Sequence, residues 1–475
     1  MKWCFLINTS QFLPEFFGKL AGQAIKENDE CIVIFSSKTA EYSRKTFFPD
    51  RVKFISAIDW FIAHYDKSKE DFFGLSWKDF FTLFYRNRWG KIDYKKAIET
   101  TQQHIQFFKF IFETEKPDII ISESPSSLFH LVARHFSKIN NVPYLGTEVS
   151  RLENRLDVYD TGFSCSKYEK TFNNLKDGDI SEEEKEYAQK FVKGFISHNI
   201  SPDAVHMSKI YLNQAEIVKH YLSRLKKEAA PLLKYIFKRG IFKKFDCESE
   251  TVLKVGLTAP FRMEKRQVKI ALQKNIYSEL TGKDEKFFLY PLHFQPESTT
   301  LIFATYYDDQ LNTIKNIAFS LPFPYKLYIK EHPGSVGTRP KSFYDKIKKL
   351  PNVVLIGPQE NPEKLIKKSQ GVIVLNGTMG MEAALSGKPA YVFGNVYYSC
   401  HPFCRKLNNF DELRDRIMED LANKPDISKL ENINNRFVAS YLRNTIAGNM
   451  LSASSLEDKN NYVQIINNLR IFSRT

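Results

Sequence analysis

A two-lobed α/β protein, built on two parallel sheets each covered by helices on both faces, is the fold that this sequence predicts. Three observations carry that expectation. The chain has 475 residues, too many for one core when domains run to roughly 100–200 residues. Strand-like and helix-like segments alternate through its first third, the pattern of a covered parallel sheet. The same alternation returns from about residue 286 to residue 395. Hydrophobic residues at 43% and charged residues at 26% are those of an ordinary globular protein.

In the first block, Trp3–Asn8 reads as a strand, Phe12–Glu27 as a helix, and Cys31–Ser37 and Val52–Ile55 as further strands. Phe72–Trp89 is heavily aromatic and reads as helical. Tyr94–Glu115 has helical periodicity and stops at Lys116-Pro117. Ile119-Ile120-Ile121 is a short buried strand, followed by Ser122-Glu123-Ser124-Pro125, a helix over Ser127–Lys138 and a strand over Val142–Leu145. From about Ile180 to Lys244 the pattern is of charged helices without strands, with Ser181-Glu182-Glu183-Glu184 as a helix start. The second block offers strands Phe287–Leu292, Tyr325–Lys330, Val353–Ile356, Val372–Leu375 and Ala390–Phe393. Helices Thr300–Leu321, Ser342–Leu350, Pro362–Ser369 and Thr378–Ser386 fit between them, and Gly394-Asn395 leaves that edge of the sheet open. Phe410–Ser473 is helical and polar, suited to cap the lobes or cross back over them. The expected domains are therefore 1–179, an N-terminal Rossmann-like lobe; 180–250, a helical connection; 251–409, a C-terminal Rossmann-like lobe; and 410–475, closing helices.

No stretch reaches the ~18 uncharged apolar residues of a membrane span. Met1-Lys2-Trp3-Cys4-Phe5-Leu6-Ile7-Asn8 reads as a strand rather than a secretory signal, which predicts a cytoplasmic protein. The six cysteines are scattered, as buried thiols are in a cytosolic chain. Cys400-His401-Pro402-Phe403-Cys404 lacks the second Cys/His pair of a zinc site, and loop packing is the expectation there, with no bound metal. The net charge of +14 favours anionic partners. From Lys226 to Lys244, Leu232, Leu233, Tyr235, Ile236, Phe237, Ile241 and Phe242 are interleaved with seven Lys and Arg residues. Such a segment can lie at an anionic membrane interface, but a helix packed on a domain with its lysines in solvent, or a basic linker, is the more common use of the pattern. No nucleic-acid recognition motif is present, and no nucleic-acid partner is expected.

Ligands of open α/β sheets gather at the carboxyl ends of strands, with phosphates at helix N-termini. Three strand ends of the second block carry unusual residues. Val372–Leu375 runs into Asn376-Gly377-Thr378-Met379-Gly380-Met381-Glu382, a tight glycine turn opening a helix that Gly387-Lys388-Pro389 closes. Backbone N–H groups around Gly377–Gly380 can hold a phosphate or diphosphate, and Glu382 can reach a ribose diol. The same spacing also fits a plain strand–turn–helix. Tyr325–Lys330 runs into Glu331-His332-Pro333-Gly334, where Pro333 ends the strand. His332 or Lys330 at that edge can neutralise a phosphate leaving group or donate a proton to it; the alternative, a surface His in a turn, is less attractive because two other strand ends point the same way. Phe287–Leu292 runs into His293-Phe294-Gln295-Pro296-Glu297-Ser298, where Glu297 or Ser298 can simply start the next helix. The functional reading puts His293, Gln295 and Glu297 at the mouth of a cleft.

Together, Leu289-Tyr290-Pro291-Leu292-His293-Phe294-Gln295-Pro296-Glu297, Lys330-Glu331-His332-Pro333 and Asn376-Gly377-Thr378…Glu382-Ala383…Gly387-Lys388-Pro389 resemble bacterial capsule polysaccharide synthesis proteins, a group that includes the Kdo transferases. The resemblance covers about residues 285–395 and extends more weakly to Pro117-Asp118-Ile119…Ser122-Glu123-Ser124 and Ser150-Arg151-Leu152. It implies a GT-B fold, two Rossmann-like domains facing a cleft, and a nucleotide-sugar donor; in the Kdo branch that donor is a CMP-activated 2-keto acid sugar such as Kdo or a nonulosonic acid.

Residue by residue, the resemblance gives His332, with Lys330 beside it, contact with the donor phosphate. Asn376, Gly377, Thr378 and Glu382 correspond to the nucleotide-binding turn and helix. Glu297 lies near the position of a catalytic Asp, one methylene longer, and Glu123 stands where an acid/base for a glycan or glycolipid acceptor is expected. No Asp-x-Asp motif ends a strand, so transfer without a metal ion or other cofactor is expected, with charge stabilisation of the departing phosphate. A nucleotide-sugar 2-epimerase and a non-catalytic polysaccharide-assembly protein are the competing readings.

Overall fold

The computed structural model describes residues 1–9, 13–79, 94–159, 165–197, 214–273, 275–278, 285–295, 297–450 and 459–473. They fall into two compact units: residues 1–164, 219–259 and 445–475 form one, and residues 165–218 and 260–444 the other.

The first unit is built on β1 (Lys2–Ile7), β2 (Glu30–Phe35), β3 (Lys53–Ser56), β4 (Ile119–Glu123), β5 (Tyr144–Val149) and β6 (Arg155–Tyr159). Together with a short strand, Thr445–Ala447, they form one sheet, in which β1 lies between β4 and β2. Pairing is parallel from β3 through β2, β1 and β4 to β5, and antiparallel from β5 to β6 and from β6 to Thr445–Ala447. The five residues Trp3–Ile7 are all buried, the near-continuous apolar run of a strand covered on both faces. The helix Tyr94–Phe110 runs on through a five-residue π-helical turn, Ile111–Glu115, and ends with Lys116 in the left-handed region, just before Pro117.

Differences from the expectation have local causes. Helix 72–89 is not seen in its first residues, because Phe73 and Gly74 both take positive φ and form a turn; residues 80–89 lie outside the described residues. β6 and Thr445–Ala447 were not foreseen, the latter being three residues long and held by its pairing with β6 and by the burial of Ile446 in the core of the first unit.

The second unit carries β7 (Phe287–Pro291), β8 (Lys326–Lys330), β9 (Val353–Ile356), β10 (Val372–Val374), β11 (Ala390–Val392) and β12 (Cys404–Lys406). They pair in parallel in the order β12-β11-β10-β7-β8-β9. Five of these strands lie within a residue or so of their expected places. The edge expected to be open after Gly394-Asn395 is instead closed, because Ala390, Tyr391 and Val392 pair with Cys404, Arg405 and Lys406. The single helix expected over Thr300–Leu321 is broken into Ser298–Leu301, a 3₁₀ turn Thr305–Tyr307 and Gln310–Ser320. Asp309 starts the last of these by accepting from the backbone N–H groups of Leu311 and Asn312, a cap that overrides the apolar periodicity.

The 180–250 segment is divided between the units rather than separate from both. The helix Glu182–Ile196 begins with a reciprocal Ser181/Glu184 capping box, and Glu184 also pairs with Arg443 at 2.8 Å, all within the second unit. From Lys219 onward the helix Gln214–Phe242 belongs to the first unit. The closing segment is divided too. The helix Leu430–Arg443 belongs to the second unit, and after residue 444 the chain returns to the first. There Lys459–Phe472 packs on Pro14–Lys26, with Tyr462 against Phe16 and Arg470 paired with Glu27 and Asp29.

Candidate active site

In the second sheet the chain proceeds from β7 outward to β8 and β9, then returns to the other side of β7 for β10, β11 and β12. The reversal falls between β7 and β10, and ligands of such sheets bind at the carboxyl ends of the strands flanking it. The three unusual strand ends belong to β10, β7 and β8, which are neighbours.

Beyond β7, the turn is held by Gln310. Its side-chain oxygen accepts from the His293 backbone N–H at 2.8 Å, and its amide donates to the His293 carbonyl at 2.9 Å and to Gln295 at 2.6 Å. The His293 ring turns toward β10, where its Nε2 accepts from the Leu375 backbone N–H at 3.2 Å. Burial pushes its pKa down to about 3, and the nearby His332 and Arg339 add to the effect.

Beyond β10, Gly377 precedes the helix Thr378–Leu385 without a side-chain cap of its own. A Cβ at Gly377 would stand 3.2 Å from His293 Cε1, so the glycine lets this turn lie against the imidazole edge. Tyr398 donates to the Gly377 carbonyl at 2.6 Å and fixes the turn. The Gly380 N–H is used within the helix, donating to the Gly377 carbonyl at 3.1 Å, so it is not among the N–H groups left for a ligand. Asn376 and Thr378 flank the turn half-buried, and Glu382 is buried one turn further on.

Beyond β8, Lys330 is buried and donates to the Pro358 carbonyl at 2.9 Å. Burial pushes its ammonium down to about 8, opposed by the charges of Glu331, Glu360 and Glu382. Glu331 is also buried, and its carboxylate accepts from Arg339 at 2.6 Å, from the Tyr344 hydroxyl at 2.5 Å and from the His332 N–H at 2.7 Å. The other end of the Arg339 guanidinium donates to the His293 carbonyl at 2.6 Å, which ties β8 to β7. His332 Nδ1 accepts from the Gly334 N–H at 3.1 Å, and the ring packs against Phe294 with centroids 5.7 Å apart. Burial pushes His332 down to about 4, with Arg339 and Lys330 contributing.

His293, Lys330, His332, Gly377 and Glu382 therefore share one end of one sheet. Glu297 is exposed, and its carbonyl accepts from Leu301 and Thr300 at 3.1 and 3.2 Å in the manner of an ordinary helix start. Arg339, Gln310, Tyr398 and Glu331 escaped the sequence reading. Only Glu331 had a signal, a carboxylate directly preceding His-Pro, and nothing in the sequence says that it is buried.

Glu123 belongs to the first unit, at the end of β4. That sheet reverses between β1 and β4, and Glu123 stands there, accepting from Asn8 at 2.5 Å and from Ser126 at 2.7 Å. The β1/β2 side of the same edge is covered by a helix start: Glu248 accepts from Thr9 at 2.8 and 2.6 Å and from Ser36, and Asp246 accepts from the Lys38 N–H at 2.8 Å. Among the described residues, no group of three or more His, Cys, Asp or Glu side chains is arranged to hold a metal ion.

Residues 241–416 match the family model described as capsule polysaccharide biosynthesis protein, a span that contains all three strand-end motifs. No curated protein matches the chain. Among solved structures, the Thermosulfurimonas dismutans KpsC β-Kdo 2,4 transferase is 15% identical over 68% of this chain and 80% of its own, with a TM-score of 0.36. The UDP-GlcNAc 2-epimerase of Methanocaldococcus jannaschii is 12% identical over 99% of this chain and 100% of its own, with a TM-score of 0.25. Likenesses this weak carry no further argument.

Proposed function

We propose that this chain is a GT-B glycosyltransferase that binds a nucleotide-activated sugar at the β10-β7-β8 strand ends, a reading supported by the match of residues 241–416 to the family model described as capsule polysaccharide biosynthesis protein. The carrying observation is that His293, His332 and the Gly377 turn stand at the ends of three neighbouring strands of one sheet, beside its reversal point, with the His293 ring edge against Gly377. A CMP-activated 2-keto acid sugar is the proposed donor, and a glycan or glycolipid of a surface polysaccharide the acceptor. His332 and Lys330 lie on the donor phosphate, Asn376, Gly377 and Thr378 on the nucleotide, and Glu382 behind them. Transfer proceeds without a metal ion, and Glu297 or Glu123 supplies the catalytic carboxylate. Work on a lipid-linked acceptor suits a cytoplasmic protein held at an anionic membrane through residues 226–244, where Phe237, Ile241, Leu233 and Ile236 are 87%, 61%, 55% and 44% exposed.

A thermal-shift panel of CMP, UDP and GDP tests the reading. Stabilisation by CMP alone is expected, and no stabilisation by any of the three would sink it. With the donor class identified, His332→Ala should lower turnover by at least ~10²-fold, the size of a lost transition-state donor. Glu297→Gln and Glu123→Gln then separate the two carboxylates, the catalytic one being that whose amide abolishes turnover while the variant stays folded.

A further inference from the structure

Three histidines of the second unit use one backbone device. A ring nitrogen that accepts a hydrogen bond from a backbone N–H carries no proton, so the ring is neutral and its other nitrogen is the N–H donor. In His401, Nδ1 accepts from the Phe403 N–H at 3.2 Å, and Nε2 meets the Asn434 side-chain oxygen Oδ1 at 3.0 Å. Both sides of that ring are satisfied within the fold, which makes it a structural histidine. His293 and His332 are tied on one side only. His293 accepts at Nε2 from Leu375 and His332 at Nδ1 from Gly334. Among the described residues, no hydrogen-bond partner meets their second nitrogens. The edge of His293 that carries Nδ1 faces the Gly377 turn, where a Cβ would lie 3.2 Å from Cε1 and 3.8 Å from Nδ1.

We propose that His293 and His332 are a matched pair of neutral hydrogen-bond donors, Nδ1–H of the first and Nε2–H of the second, that hold the phosphate of the donor nucleotide at the Gly377 turn. The inference rests on the reading of a nucleotide site and adds His293 to it. It also changes the part played by His332, which acts as a fixed N–H dipole and neither carries a positive charge nor gives up a proton. Charge compensation then falls to Lys330, buried one residue before Glu331. Burial favours this assignment, since it disfavours the imidazolium form of both rings.

Histidine-labelled full-length protein tests the tautomers directly. Long-range ¹H–¹⁵N correlation spectra should show the Nδ1–H tautomer for His293 and the Nε2–H tautomer for His332, both unchanged from pH 8 to pH 5. An imidazolium pattern at pH 7, or the opposite tautomers, overturns the proposal whatever the protein binds. Uncharged amides test the function of the donors. Glutamine places its N–H₂ near an imidazole Nε2 and asparagine near Nδ1, so His332→Gln and His293→Asn should bind CMP within about threefold of the parent. His332→Ala should lose about tenfold or more, as expected for a hydrogen bond to a charged group. If CMP binds the parent and His332→Gln binds no better than His332→Ala, the donor pair is wrong while the nucleotide site stands. If no nucleotide binds, inorganic pyrophosphate serves as the probe: perturbation of both histidine N–H signals retains the donor pair without the nucleotide, and their indifference ends it.

Discussion

Gly377 and Gly380 sit three residues apart in one turn, and the sequence presents them as equivalent. The structure separates them by what each would touch. A Cβ on Gly380 would lie 2.7 Å from the Tyr398 hydroxyl and 2.8 Å from Val374 Cγ2, distances that real Cβ atoms do not adopt. Tyr398 is buried and anchored on the Gly377 carbonyl, so it has no free direction in which to yield. Gly380→Ala should therefore cost about 1–3 kcal/mol, the range for overpacking a core, and lower Tm measurably. Gly377 has φ −73°, open to any residue, and among the described residues its close neighbour is the His293 ring edge at 3.2 Å. Gly377→Ala should lower Tm less than Gly380→Ala does, and lose CMP stabilisation. An unchanged response to CMP in a folded Gly377→Ala protein would remove the turn from the ligand site. The glycine turn and the His-Pro pair were legible because each breaks a strand with a residue of special geometry. Arg339 and Gln310 were not, since a long polar side chain bracing a strand end looks the same in sequence as one in solvent.

At the scale of elements, legibility followed how much each segment specifies itself. β7–β11 are continuous apolar runs bounded by polar turns, and they were placed almost to the residue. β12, Cys404–Lys406, is three residues of mixed character and exists because β11 is beside it. The helix Gln214–Phe242 was legible as amphipathic, but sequence alone could not say which apolar residues point inward. Tyr235 and Phe242 are buried, and Glu228 is buried in a pair with Arg44 at 2.6 Å. Leu233, Ile236, Phe237 and Ile241 remain exposed, as do Lys226, Lys227, Lys234, Lys238, Lys243 and Lys244. Between residues 226 and 244 the only acid is thus turned inward, and the outer face is apolar and cationic. A second copy meeting this face would bring its own lysines against these, whereas anionic lipid neutralises them and takes up the apolar stripe. The full chain should sediment with phosphatidylglycerol vesicles and not with phosphatidylcholine vesicles, less so at high salt. Phe237→Asp should weaken that binding by about tenfold or more without moving Tm. Binding indifferent to lipid charge or to Phe237→Asp, or concentration-dependent dimers lost in Phe237→Asp, would refute the membrane face.

For the whole molecule, the two-unit plan was legible from alternation alone, whereas the division of residues 180–250 and 410–475 between the units depends on long-range packing that no local pattern encodes. That division has a consequence for pH. Burial holds the imidazoles of His293, His332, His401 and His104 down at about 3, 4, 4 and 4. A histidine whose folded pKa lies below its unfolded value near 6.5 lends its full stability above pH 6.5 and loses it as pH falls toward the folded pKa. At pH 5 each such histidine removes about 2 kcal/mol, because the unfolded chain takes up the proton that the fold excludes. Of these four, His293, His332 and His401 lie in the second unit and His104 in the first. The first unit also holds Asp246, whose carboxyl burial raises to about 7. A raised carboxyl has the opposite sign: its folded form prefers the proton, so lowering pH from 7 to 5 stabilises the first unit and offsets His104. Mild acid should therefore weaken the second unit selectively. Hydrogen exchange followed by mass spectrometry at pH 7 and pH 5, corrected for intrinsic rates, reads this directly. Peptides from 165–197 and 285–444 should lose protection at pH 5 while those from 1–79 and 94–159 keep theirs. Equal loss in both units, or earlier opening of the first, would show that the buried histidines do not control the acid limb of stability.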